Sequence, residues 1–351
     1  QEVSTDGAVI YTRKDIETGR QVWQSIGGQQ LGSIWGHGGY VAPDWGADWL
    51  HREAEAILDI WAAREHGVDS YKALDAPTQA AYTARVQALM RPNTWNETTR
   101  TITLDAERVA AIRSISEHYT SLFGTGPDTA ELREAYAMRN GTVADAENRE
   151  ALTAFFWWAA WSSITERPGQ TITYTANWPH DELVGNTPPS NLLIWSVFSV
   201  LFLIAGIGLL GWHYAVNHGD EMVPVLPKRD PLADIKVTPS MRATAKYFWV
   251  VMALFLVQIL LGATTAHYQV EGQEAYGFAL AEILPYSLTR TWHTQLAVLW
   301  IATAWLGMGL YIGPAISGHE PKYQRLGVNV LWTCLLIIVV GSFAGQWFAV
   351  M

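Results

Sequence analysis

Four stretches in the second half of this chain stay apolar over about the 20 residues that a helix needs to cross a bilayer. They lie at about 191–214, 244–267, 291–315 and 327–350. Hydrocarbon offers no partner to a free N–H or C=O, so each stretch must fold as a helix that satisfies its own backbone. Residues 190–351 therefore read as a membrane domain and residues 1–189 as a separate, mainly helical soluble domain. Charge divides at the same place. Residues 1–189 hold 15 Lys and Arg against 25 Asp and Glu and the rest holds 8 of each, so the first domain carries the whole net charge of −10. Such a surface argues against nucleic acid as a partner, because backbone binding needs a basic patch.

The loops between spans orient them. The 215–243 loop carries Lys228, Arg229, Lys236 and Arg242, and the 317–326 loop carries Lys322 and Arg325. The 268–290 loop has Glu271, Glu274 and Glu282 against Arg290 alone. Positive charge stays on the cytoplasmic side, so the third loop and the N-terminal domain are expected on the periplasmic side of a bacterial inner membrane. Trp212, Trp292 and Trp347, near span ends, read as anchors at the headgroup level. The aromatic run from Phe155 to Trp161 is too short to cross and reads as core.

Within the soluble domain, Asp15 is expected to cap a helix running to about Ile26. The stripe Leu50, Ala54, Ile57, Leu58 and Trp61 predicts a helix over 45–65. Further helices fit 78–90, 104–123, 128–139 and 143–165, and the alternation over Thr171–Asn177 predicts a short strand. The single cysteine, Cys334, sits in an apolar span and reads as a small buried hydrophobe. With one cysteine there is no intrachain disulfide, and no C-x-x-C-H motif exists to attach a c-type haem.

Chemistry concentrates in three places. His293 lies near the outer end of an apolar span with no charge after Arg290. An ionisable group on a membrane helix marks a functional site by default, and imidazole is a haem axial ligand. The segment Gly36-His37-Gly38-Gly39-Tyr40-Val41-Ala42-Pro43-Asp44 is glycine-rich enough for close backbone approach. Its carbonyls suit a hard cation and the Tyr40 hydroxyl a carboxylate, or it is a tight loop entering a helix capped by Asp44. His267, with Glu271 one turn on, is either a base for a ligand at the membrane surface or an interfacial histidine. The other histidines, at 37, 51, 66, 118, 180, 213, 218 and 319, form no metal-spaced cluster and read as solvated or capping.

Four blocks make the residues recognisable: Gly36–Trp45, Ala47–Glu53, Tyr174–Pro179, and Gln295 to Gly309. In order and spacing they resemble the quinol-dependent nitric oxide reductases of the haem–copper oxidase superfamily, over about the first half of a typical member. The resemblance implies a cytochrome-c-like periplasmic domain without haem c, followed by the first four transmembrane helices of a haem–copper oxidase-type bundle, truncated here. It implies low-spin haem b with His293 as an axial ligand, and a loop at Gly38 and Tyr40 near the haem propionates and a calcium ion. It points to His267 and Glu271 for quinol. Without a covalent haem in the soluble domain, electrons must come from a donor other than a soluble cytochrome through that domain, and a lipid-soluble quinol fits.

Haem b3 and the non-haem iron of the family need further histidines, including a His-His pair, and a glutamate. The sequence has no His-His pair, so these ligands are expected on the remaining C-terminal half, and residues 1–351 alone are not expected to reduce nitric oxide. Both chain ends read as cuts, and the family's preceding membrane anchor is expected upstream. The expected partners are quinol, nitric oxide, the lipid bilayer, the C-terminal half and a second copy in a homodimer. Two competing readings are a nitric oxide dismutase of the same superfamily and a non-catalytic membrane subunit that docks or assembles a partner.

Overall fold

Asp44 and Gly67 bound the longest helix of the N-terminal half. In the computed structural model, which describes residues 2–4, 8–217, 228, 233 and 235–351, α3 runs Trp45–His66. The Asp44 carboxylate accepts from the Ala47 N–H, and Gly67 closes the helix at φ 67°, a left-handed setting natural to glycine. Arg229, His218 and the side chain of Glu274 lie outside the described residues.

The chain is mainly helical. Strands β1 (Glu2–Ser4) and β2 (Val9–Thr12) precede α1 (Arg13–Ser25) and α2 (Gly28–Leu31), and α4 (Ala76–Met90) follows α3. Then come β3 (Trp95–Asn96), β4 (Thr101–Thr103), α5 (Ala106–Phe123), α6 (Ala130–Ala135) and α7 (Ala146–Ile164). The four strands form one small sheet in the order β2-β1-β4-β3, with β1 antiparallel to β2 and parallel to β4.

Three local expectations are corrected. Asp15 does not cap α1: Thr12 does, and Asp15 returns the bond as the third helical residue of a capping box. The helix expected over 128–139 stops at Ala135, and Ala137 turns left-handed at φ 46°. Thr171–Asn177 forms turns, with one isolated bridge between Thr173 and Glu166, because Ala176 and Asn177 both sit at φ 57° and break the alternating pleat.

The domain core is aromatic. Trp45 stacks on Phe156 with ring centroids 5.5 Å apart, and Trp49 stacks on Tyr119 at 5.4 Å. Each such pair adds about 0.5–1.5 kcal/mol beyond area burial. Phe155, Phe156, Trp157 and Trp161 are buried as the sequence implied. α1 crosses α7 closely at Gly19, where a Cβ would lie 1.9 Å from the Ala151 carbonyl oxygen.

One ion pair is inside this core. Arg108 Nε donates to Glu53 at 2.8 Å, with side chains 4% and 1% exposed, and Trp49 Nε1 donates to the other carboxylate oxygen at 3.1 Å. Removing one partner strands a charge, which costs about 3–5 kcal/mol, whereas an apolar pair of similar volume is often neutral. Arg108→Ala should therefore lower the thermal unfolding temperature of the domain markedly, followed by near-ultraviolet circular dichroism. Combining Glu53→Leu with Arg108→Met should restore most of it. Equal melting of Arg108→Ala and the parent would show that the pair contributes nothing.

Helices α8 (Ser190–Asn217), α9 (Pro239–Ala243), α10 (Ala245–Val270), α11 (Tyr286–Ser317) and α12 (Gln324–Val350) complete the chain. Four spans, Ser190–Asn217, Pro239–Val270, Tyr286–Ser317 and Gln324–Val350, are long and apolar enough to cross a membrane. They extend past the apolar cores at 191–214, 244–267, 291–315 and 327–350 because interfacial polar residues continue the helical hydrogen bonding.

By contact the chain forms two units: Gln1–Thr187 with Leu256–Ala297 and Gly341–Met351, and Pro188–Phe255 with Val298–Val340. In the second unit, the Tyr247 hydroxyl donates to the Val328 carbonyl at 2.7 Å and Lys246 to Asn329 at 2.6 Å. No residue of α8 is buried against described residues. Cys334, expected buried, is exposed on α12. Trp292, expected as a headgroup anchor, stacks on Trp347 at 5.9 Å and packs against Phe343.

Candidate functional site

In the first unit the N-terminal domain is tied to the starts and ends of membrane helices by backbone and side chain alike. Tyr286 N–H donates to the Ala137 carbonyl at 3.1 Å. Arg139 donates to the Met351 carbonyl at 2.7 Å, the Asn140 N–H donates to Glu282 at 2.9 Å, and Gln273 donates to Glu134. Gly27, at φ 69°, allows approach to Ser287, whose Cβ would lie 3.1 Å from an added Cβ. The 33–44 loop meets the start of α11 through Tyr40 and Arg290.

Asp44 builds that loop. One oxygen accepts from the Ala47 N–H at 2.9 Å, and the other accepts from Ser33 Oγ and the Gly36 N–H at 2.7 Å each. Ser33 Oγ in turn accepts from the Gly38 N–H at 2.8 Å, with Gly38 at φ 85°. Gly39 is needed because a Cβ would meet the Leu31 carbonyl oxygen at 2.3 Å. The carboxylate of Asp44 is thus spent on capping and on the loop, while Tyr40 projects outward, 58% exposed. Its ring covers the Arg290 guanidinium, 4.5 Å from the ring centroid, a cation–π contact. Arg290 precedes His293 by one helical turn. Arg290 was legible in the sequence as a loop charge, but its pairing with Tyr40 was not.

His293 is half-buried against α10. Its Nδ1 is 3.0 Å from the Gln258 carbonyl oxygen, and Gln258 Nε2 donates back to the His293 carbonyl at 3.4 Å. A carbonyl only accepts, so Nδ1 is the ring's donor here, and Nε2 has no partner among the described residues. Gly262 makes this possible: an added Cβ would lie 2.7 Å from Cε1 and 3.0 Å from Nδ1. An imidazole anchored through one nitrogen to a backbone carbonyl, with the other free, is the donor arrangement that a metal ligand requires. The residues present therefore fit haem iron. Neither Gln258 nor Gly262 carries a sequence signal, since a glutamine and a glycine in an apolar span look like packing residues.

His267 and Glu271 are hydrogen-bonded to each other at the end of α10, with about half of each side chain exposed. Tyr276 stands edge-on to His267 at 6.2 Å, and its hydroxyl donates to the Thr264 carbonyl at 3.2 Å. Burial, and to a smaller degree the Glu271 charge, pushes the Tyr276 hydroxyl above its usual pKa. At 1.5 Å of rise per residue, His267 lies about 7.5 Å along α10 beyond the Gly262 level that faces His293.

Among the described residues no three His, Cys, Asp or Glu side chains converge as a metal site. His51 pairs with Asp181 at 3.0 Å, and His37 stands edge-on to Trp178 at 4.7 Å. His118 departs from the solvated role expected for it. It is half-buried with Nε2 unpartnered among described residues, and burial, then the Arg52 charge, holds its pKa below the usual value.

Comparison with known families gives two matches. The profile of the NorB cytochrome c-like domain of nitric oxide reductases matches residues 1–180. That of cytochrome c and quinol oxidase polypeptide I matches residues 242–351, which include α10, α11 and α12. No curated protein matches the chain. With the first profile spanning just over half of its length, the chain belongs to the NorB nitric oxide reductase family of haem–copper oxidases, multi-pass membrane oxidoreductases that carry haem and metal cofactors.

Proposed function

We propose that this chain is the electron-accepting part of a quinol-dependent nitric oxide reductase, in which His293 is an axial ligand of low-spin haem b. The observation that carries the reading is the His293 ring, anchored through Nδ1 to the Gln258 carbonyl, with Nε2 free, inside the segment matched by the oxidase profile. Bound there, haem b would supply a one-electron relay between donor and catalytic centre. Tyr40 and Arg290 close the site on the N-terminal-domain side, and the Arg290 cation suits the negative propionates of a haem. Gly38 belongs to the same loop and, with Tyr40, is our candidate for a calcium contact.

His267 and Glu271 would receive quinol. The imidazole takes a hydroxyl proton and the carboxylate stabilises the cation that results. Two nitric oxide molecules, two electrons and two protons would then give nitrous oxide and water. We assign that step to haem b3 and a non-haem iron; no ligand set for such an iron occurs among the described residues. Lys236 and Lys322 lie in connections, and Arg242 and Arg325 in α9 and the opening turn of α12, at the span ends that alternate with the one near Glu271 and Glu282. That asymmetry supports a periplasmic N-terminal domain on a bacterial inner membrane. A homodimer and partner helices would cover the apolar faces of α8 and α12.

The test is nitric oxide consumption by membranes carrying the complete polypeptide, with a short-chain quinol or reduced cytochrome c as donor. Quinol should sustain turnover and cytochrome c should not, whereas turnover without any donor would indicate dismutation instead. His267→Ala should lower the quinol-driven rate at least tenfold, in line with loss of a general base. A small reductant that reaches haem directly should be unaffected. An unchanged quinol rate in His267→Ala would remove that residue from the reading.

A further inference from the structure

We propose that a tryptophan-walled cleft on the N-terminal domain binds a neutral, planar conjugated ring bearing carbonyl oxygens, independently of the haem reading above. The cleft encloses about 590 Å³ and its aromatic walls are Trp35, Trp95, Trp158, Trp161 and Tyr174. That volume is in the range of small-molecule sites. Two of its aromatic residues come from segments that the function so far leaves unexplained: Trp35 just before the glycine loop, and Tyr174 from the Tyr174–Pro179 block.

The walls are built rather than incidental. Trp35 is 37% exposed, yet its indole N–H is fixed to the Ala159 carbonyl at 3.0 Å. Its backbone is left-handed at φ 56°, which a bulky residue rarely adopts. Its ring lies 5.3 Å from Trp158, and Trp161 stacks on Tyr174 at 5.6 Å. Order is thus imposed on an indole that packing alone would leave free.

The polar atoms choose the ligand. The Trp161 indole N–H is buried with no acceptor among the described residues, so that ring meets the cleft through its carbon atoms. The Tyr174 hydroxyl accepts from Asn93 at 3.0 Å, which leaves its own proton to donate. Ser162 Oγ is turned back onto the Trp158 carbonyl at 2.8 Å, and the Thr175 hydroxyl donates to the Trp178 carbonyl. What remains is one donor, the Tyr174 hydroxyl, and several ring faces, with no charged side chain in the lining. A carbonyl oxygen satisfies that donor, and an electron-poor conjugated ring stacks on indole. A cation would suit the ring faces but not the donor.

Riboflavin is a suitable probe because it is neutral, water-soluble and planar, and stacked indoles quench its fluorescence. Titrated into the full chain in lipid nanodiscs, it should be quenched saturably at sub-millimolar concentration. Trp35→Ala should weaken binding at least tenfold. Tyr174→Phe, which keeps the ring and loses the hydroxyl, should weaken it about fivefold. The Tyr174→Phe result decides the matter if Trp35→Ala disturbs the domain. Absence of saturable quenching, or unchanged affinity in Tyr174→Phe, would overturn the proposal. So would displacement of riboflavin by millimolar tetramethylammonium or glucose, which would make the cleft a cation or sugar site.

Discussion

His293→Ala in the complete polypeptide is expected to abolish the low-spin haem b signal while the chain still inserts into the membrane. The expectation follows from geometry. The imidazole is held through Nδ1 by a backbone carbonyl of the neighbouring helix, and Nε2 has no partner among the described residues. Alanine supplies no donor atom, and a single ligand from elsewhere cannot keep the iron six-coordinate and low-spin. Insertion should survive, because alanine in an apolar helix costs nothing in hydropathy and has high helix propensity. The checks are a reduced-minus-oxidised spectrum and haem per polypeptide, with membrane yield as the control. A normal low-spin spectrum in the variant would eliminate His293 as the ligand.

Gly262→Ala probes the same ring from the opposite helix. By propensity alone the change favours α10 by up to about 1 kcal/mol. The steric effect points the other way, since the new Cβ would lie 2.7 Å from His293 Cε1 and 3.0 Å from Nδ1. An interhelical clash of that depth outweighs a propensity gain, so the ring must shift and the Nδ1–Gln258 bond lengthens or breaks. Loss of such a supporting contact typically costs 10–100-fold in metal affinity. Where haem is retained, a less basic imidazole stabilises ferric iron less, and the potential should rise. Loss of about 1 kcal/mol corresponds to an upward shift on the order of 40 mV for a one-electron couple. Gly309→Ala, where an added Cβ meets nothing within 4 Å, should leave haem content and potential at the parent values. Equal behaviour of the two variants would show that Gly262 does not position the ligand.

Elements set by short-range chemistry are legible in the amino-acid sequence alone. The spans can be read because about 20 apolar residues leave a membrane helix no alternative. The start of α3 can be read because Asp44 precedes an apolar stripe, and the Phe155–Trp161 run because it is too apolar to expose and too short to cross. Misreadings arise where two local signals compete. Thr12 outcompetes Asp15 as cap, since a hydroxyl and a carboxylate three residues apart can each play either part of a capping box. Thr171–Asn177 alternates like a strand, yet two left-handed residues make it a turn.

Sequence by itself determined that four helices suit a bilayer, that the net negative charge belongs to residues 1–189, and that His293 lies near the end of a span. Tertiary structure alone decided which nitrogen of His293 is free, that Gly262 receives its ring, and that Tyr40 covers Arg290. It also decided that Cys334 is exposed and that Trp292 packs on Trp347. The physical reason is range. Hydropathy, capping and propensity act over a few residues and are written in local sequence. A contact between residues 40 and 290, or a tautomer chosen by a carbonyl 35 positions away, depends on how helices meet in space.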